Sequence, residues 1–442
     1  MTGFFRSLFG SKKSISKIKT RMQSRRLELL GLEERIVPAT ISVNNQTVVI
    51  TLVAGEIISD LHTAQTGANQ VTITTTTTSN NTPTGLIVGT GVTVANQSII
   101  VDTTSFAFDG ISVVGQAGGS ESVTIGAVGI DLSSGSGGAN QAVSINLTQT
   151  GSTNDVLNVN GVIKAKGTGG VNLNLSSTGS SMTIASAGDI TTTGGAVNIS
   201  AVNLTSSGDI TTGSGNISFG SALNLGGNIA INSTSGNVLT GIVTPGANNL
   251  TVNAGSGTVT LSGAFSATSG NLSLTTTNAT ASAISIGAVT TTGLVSLNAA
   301  GDISASGAIS AASVNAKSTA GDVSFADNVT TTQTGGFTSE TSDATKATKI
   351  AKLVSVGAGA NALVTGNLVA TLNNLPEIRI TGSSGTITIT GKVDGASSSN
   401  DLVLSGANGA ITISGAIGGI ASTPTLDTLT FNGNTSLLVS GT

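Results

Sequence analysis

Cysteine, tryptophan and tyrosine are absent from the 442 residues, and phenylalanine appears ten times. Without cysteine there are no disulfides and no thiolate metal sites. Charged residues make up 9%, against roughly 25% in ordinary globular chains. Histidine occurs once, at His62, and arginine occurs once after residue 40, at Arg379. Sugar-cleaving enzymes need aromatic platforms and paired acids or a base, so this poverty argues against a polysaccharide lyase or hydrolase. No run reaches the ~18–20 apolar residues of a membrane helix. What is present is glycine, 60 residues of it, with small apolar residues, Thr, Ser and Asn. A hydrophobic fraction of 38% with a net charge of only −4 speaks against disorder, which needs low hydrophobicity and high charge.

Residues 179–239 set the pattern for the rest. Gly188-Asp189-Ile190 returns as Gly208-Asp209-Ile210, 20 residues later, and Gly301-Asp302-Ile303 returns as Gly321-Asp322-Val323 at the same step. Between them run short alternations such as Val197/Ile199/Ala201, the period of a half-buried strand. The phase slips by one residue before Val202 and Leu204, so the chain must turn there rather than flip its faces. Strand, corner, strand, corner at this step predicts an all-β fold, a right-handed parallel β-helix of about 20 residues per coil, with roughly 20 coils in all. Glycine at the corners is expected to supply positive φ, and asparagine inside the coils to form amide ladders.

The chain divides on this reading into five parts. Residues 1–40 carry nine Lys/Arg and three Glu, while the remainder carries eight basic and eighteen acidic groups. Residues 14–30 have the spacing of a basic amphipathic helix; a disordered basic tail is the plainer reading. Residues 41–135 read as a less regular β region with N-terminal capping, where 56–62 (EIISDLH) is expected to be a turn of helix or a cap. Residues 136–335 are the regular solenoid. Residues 336–375 are expected to be an irregular excursion, a loop or short helix at 339–352 (SETSDATKATKIAK). Residues 376–442 return to coils, and no amphipathic cap follows Leu437-Leu438-Val439. That ending predicts a truncated member of a longer family or a last coil covered by a partner.

Leu32, Glu33, Arg35, Ile36, Val37 and Ala39 resemble the LEPR-XLL motif found near the N-terminus of large bacterial envelope proteins. Glu34 stands where that motif has proline, and Pro38 intervenes before Ala39. The resemblance covers about the first tenth of the chain and implies export to the cell surface or beyond, with export machinery engaged through residues 1–40. The Gly-Asp-Ile, Gly-Asn-Ile and Gly-Ala-Ile units of residues 120–440 resemble autotransporter passengers and filamentous-haemagglutinin-like adhesins. That implies a secreted or cell-surface protein meeting surface glycans or proteins. A nucleic-acid-binding arm is disfavoured, because no basic face supports it elsewhere.

Chemistry has few candidates. Ser59, Asp60 and His62 contain the members of a triad, but three residues so close in sequence seldom converge. Asp189, Asp209, Asp302 and Asp322, stacked one coil apart, raise Ca²⁺ binding, against a turn Asp bonding its own backbone. Residues 74–78, all threonine, raise a flat hydroxyl face of the ice-binding kind, which would need Thr-x-Thr on every coil. Residues 115–119, a Gly-rich stretch, lack the helix and lysine of a phosphate loop and read as a turn. The expectation is therefore a non-enzymatic structural or adhesin-like protein without catalytic, cofactor or metal residues. The alternatives are a carbohydrate-active solenoid enzyme and a ligand- or ice-binding face.

Overall fold

The computed structural model describes residues 40–441, apart from 68, 78–91, 96, 135–136, 149–153, 334, 372–374, 383, 419–425 and 434–435. The basic segment, its expected helix and the LEPR-XLL-like residues lie outside the described residues. The described chain is all β: a parallel solenoid whose coils pass in turn through three long sheets, here A, B and C.

The first regular coil runs Gly110–Val114 in sheet A, Ser122–Ile125 in sheet B and Ile130–Asp131 in sheet C. From there each strand pairs in parallel with the strand one coil on. In sheet A the inward position passes from Ile111 to Val143, Val171, Val197, Ile217, Val238 and Val259. It continues through Ile284, Ile303, Val323, Thr348 and Leu368 to Val393. Nearly all are β-branched, the side-chain type that packs best on a pleated surface. Sheets B and C supply matching inward columns, such as Met182, Leu204 and Leu223, or Ile190, Ile210 and Ile231. All converge on one continuous aliphatic core.

Twelve steps separate Ile111 from Val393, so the mean coil is (393 − 111)/12, about 24 residues. The expected 20 holds locally: Val197, Ile217, Val238 and Val259 are spaced 20, 21 and 21. Elsewhere steps range from 19, Ile284 to Ile303, to 32, Ile111 to Val143. The stack therefore has about 12 turns rather than roughly 20. Extra residues sit at corners, where they loop outward without disturbing the ladder.

The N-terminal region is built differently. Thr40–Asn44 pairs antiparallel with Thr47–Thr51, which lies parallel to Gly110–Val114. Sheet B is extended by Ile57–Gly67, Gln70–Thr77, Ser98–Asp102 and Val92–Ala95, antiparallel in that order. Ile57–Gly67 also runs parallel to Ser122–Ile125 and then reaches sheet C. There the Thr63 amide donates to the Gly129 carbonyl at 3.0 Å, and the Asp131 amide donates to the Thr63 hydroxyl at 2.9 Å. Residues 57–62 are thus strand, not a turn of helix. A bulge between Ile58 and Leu61 turns both inward, and their i, i+3 spacing mimics a helical face.

The described residues of 336–375 form no excursion either. Phe337–Thr341, Ala347–Ile350, Leu353–Val356, Ala362–Thr365 and Asn367–Ala370 take their places in sheets C, A, B, C and A. Phe337 is fully buried and meets Phe325 edge to face, ring centroids 5.4 Å apart.

Candidate functional site

In the Gly-Asp-Ile unit the last two residues do separate jobs. The isoleucine or valine points inward. The aspartate reaches across to the next coil: Asp189 Oδ1 accepts from the Asp209 amide at 2.9 Å, and Asp209 Oδ1 accepts from the Ala230 amide at 2.7 Å. Asp302 and Asp322 do the same for the amides of Asp322 and Ala347, each at 2.9 Å. The partner is the neighbouring coil, not the residue's own backbone. The two pairs also serve different corners, since Ile190 and Ile210 enter sheet C whereas Ile303 and Val323 enter sheet A.

Asparagine performs the same task without charge. Asn216 takes the Asn237 amide and Asn237 takes the Thr258 amide. Asn228, Asn249 and Asn271 form a second such series ending on the Leu294 amide. These side chains lie on the outside of the coils, so the expected inner amide ladder is corrected. An inward amide would have to be satisfied by others inside a core of aliphatic columns; outside, it satisfies a backbone donor that the corner leaves unpaired.

Glycine at the corner before sheet A supplies space. Gly169, Gly195, Gly215, Gly236 and Gly257 stack in register, and a Cβ on any of the last four would sit 1.9–2.1 Å from the carbonyl oxygen of the glycine one coil earlier. None of these five has positive φ, so close backbone approach, not conformational freedom, fixes the residue here. Buried hydroxyls close the same corner: Thr212 Oγ1 donates to the Gly215 carbonyl at 2.7 Å and Ser318 Oγ to the Gly301 carbonyl at 2.8 Å.

The outward face of sheet B carries a second pattern. Its central outward position reads Thr124, Asn158, Thr183, Thr205, Asn224 and Thr244 over successive coils. Beyond a bulge it continues as Ser266, Thr290, Ser310, Thr330 and Ser355, and then changes to Arg379. Every rung before Arg379 is a neutral hydroxyl or amide, at the ~4.8 Å spacing of paired strands. Such a face offers donors and acceptors in a row, with no charge on the rungs themselves.

The remaining expected positions are dispersed. His62 Nδ1 lies 3.1 Å from Asp60 Oδ2, but Ser59 donates to the Thr76 carbonyl at 2.9 Å on the neighbouring strand, so the three do not form a triad. Thr74 to Thr77 belong to the antiparallel strand Gln70–Thr77, where Thr75 is buried; residue 78 lies outside the described residues. In residues 115–119, Gly118 has φ +92° and Gly119 packs against the Gly55 backbone, the geometry of a turn. Arg379 clasps Glu377 through both Nε and Nη2. Burial would raise the Glu377 carboxyl; the Arg379 guanidinium and the Ser405 hydroxyl outweigh it and hold the group below its usual range. Among the described residues no group of three or more His, Cys, Asp or Glu is placed to hold a metal ion, and no helix is long and apolar enough to cross a membrane.

One constellation escaped the sequence. Glu121 and Asp155, 34 residues apart, meet at the corner between sheets A and B with exposures of 1% and 0%. The Glu121 amide donates to Asp155 Oδ1 at 2.9 Å and Ser177 Oγ donates to Asp155 Oδ2, which brings the two buried acids together. Burial, followed by a hydrogen bond to Asp155 and by the Asp155 charge, pushes the Glu121 carboxyl up to about 7. No periodic signal marks either residue.

No protein-family model, no curated protein and no solved structure matches the chain.

Proposed function

We propose that the chain is a non-enzymatic structural or adhesin-like solenoid that works outside the cell or on its surface. The observation that carries the reading is the row of neutral rungs from Thr124 to Ser355 on sheet B, backed by a single uninterrupted core. A row of fixed donors and acceptors on a stiff support suits repeated weak contacts with an uncharged glycan or protein surface, where many rungs add their small contributions. The extracellular placement rests on the resemblance of residues 32–39 to the LEPR-XLL motif and on the passenger-like texture of the body.

Protease treatment of intact and lysed cells tests the placement. The reading expects digestion on intact cells; digestion only after lysis overturns it. The face is tested by replacing Thr205, Asn224 and Thr244 together with lysine. Attachment of the purified chain to cell surfaces or neutral glycans should fall at least tenfold with the melting temperature held. Unchanged attachment removes this face from the function.

A further inference from the structure

Three features of the Glu121–Asp155 corner stand apart from the outward ladders. First, it is a seam. Ser122–Ile125 is the strand on which the antiparallel N-terminal strands end and the parallel coils begin, paired with Ile57–Gly67 on one side and Val156–Val159 on the other. Second, both carboxyls are excluded from water, and backbone bonds lock their coils together, since Val156 N donates to the Glu121 carbonyl at 2.9 Å. Third, a hydrogen bond between two carboxyls needs a proton on one of them. Two bare carboxylates brought together away from water repel strongly.

The other groups at the seam offer no counter-charge. Across from Glu121 on the preceding strand stands Glu56, whose Oε2 accepts the Val53 amide at 3.0 Å. On the following coil stand Ser177 and Ser180, the latter donating to the Leu175 carbonyl. The charge acting on Glu121 is that of Asp155. Asp155 accepts from a backbone amide and a serine hydroxyl, and the Glu121 carboxyl, raised by burial and by its bond to Asp155, is the proton carrier.

We propose that the Glu121–Asp155 pair is a proton-dependent latch joining the first parallel coil, on which the N-terminal strands rest, to the second, closed while the pair holds one proton and loosened when that proton leaves. The direction follows from linkage. A carboxyl whose folded value lies above its unfolded one favours the closed seam fully below the unfolded value, near 4.5, and that preference is lost as pH rises through about 7. The seam is therefore tight in mildly acidic surroundings and slack in alkaline ones. Loosening would part Ser122–Ile125 from Val156–Val159 and expose the sheet edges that these two strands otherwise cover in each other.

Native-state amide exchange on the full chain, corrected for intrinsic rates, tests the latch at pH 5.5 and pH 8. The opening constant of amides in 121–125 and 155–159 should rise about 25-fold between these values, while amides in 217–231 stay level. In Glu121→Gln, which keeps the shape and cannot ionise, the rise should vanish. A wild-type profile without the rise, or the same rise in Glu121→Gln, overturns the proposal. If that variant fails to fold, Asp155→Asn takes its place. An infrared titration of the wild-type chain gives a separate reading: a protonated carboxyl band should disappear near pH 7, and its absence at pH 6 is equally fatal.

Discussion

Residues 167–301 and residues 302–379 build the same coils with different surfaces. The first stretch carries only two charges, Asp189 and Asp209, while the second carries eleven. In the first, coil is tied to coil by Asn and Asp oxygens on backbone amides. In the second, side-chain ion pairs are added across the same coil boundary: Lys317 with Glu340 at 2.8 Å, Lys349 with Asp322 at 2.7 Å and Lys352 with Asp327 at 2.9 Å. Yet the inward columns run through both without a break. Cohesion of the stack therefore lies in the core and the backbone, and the charge on the outside is a separate variable. The neutral stretch leaves its surface open to close approach by another neutral surface, whereas the charged one resists it.

The largest test of this separation is Gly215→Ala in the neutral stretch. Its Cβ would lie 1.9 Å from the Gly195 carbonyl oxygen, so the coils must part, at a cost of about 3 kcal/mol in urea unfolding. Gly246→Ala, with nothing within 4 Å but φ +62°, should lose only about 1 kcal/mol. Equal losses at the two sites would mean that corner spacing is not the constraint.

Acid and alkali should attack opposite ends of the stack. Glu121, raised to about 7, contributes stability that is complete below pH 4.5 and declines as pH climbs through 7, by about 2–3 kcal/mol in total. Glu377, held low by Arg379 and Ser405 against burial, contributes above its unfolded value and loses that contribution as pH falls below it. Urea midpoints against pH should show a maximum between these limbs. Glu377→Gln should flatten the acid side and leave the alkaline side unchanged.

A smaller effect is expected at the bracket itself. Asp209→Ala strands the Ala230 amide and should cost about 1 kcal/mol. Asp209→Asn should cost a few tenths, because Asn216 and Asn249 perform the same task without charge. A large loss in the asparagine variant would show that charge matters in the neutral stretch after all. Smallest of all is Lys349→Met. The ion pair is partly exposed, so the change should stay below about 1 kcal/mol and vanish in 1 M salt.

The inward pattern was open to the sequence because alternation is local: Val197, Ile199 and Ala201 show their side of the strand without any knowledge of their neighbours. The step of 20 was legible for the same reason, and it misled as an average because corners such as that between Ile111 and Val143 absorb extra residues. The excursion expected at 339–352 followed from its charges. Those charges occupy outward and corner positions, while Ser339, Thr341, Thr348 and Ile350 face in. The row from Thr124 to Ser355 was beyond reach, since it exists only once register across strands 19 to 34 residues apart is known. Glu121 and Asp155 were hidden more deeply: each is an ordinary acid beside a strand until the fold sets them against each other.

The glycine column carries a mechanical corollary. Along the line from Gly169 to Gly257 successive windings touch peptide to peptide, with no compressible side chain between them. A force applied across the stack should therefore find little to compress along that line, where peptide already rests on peptide.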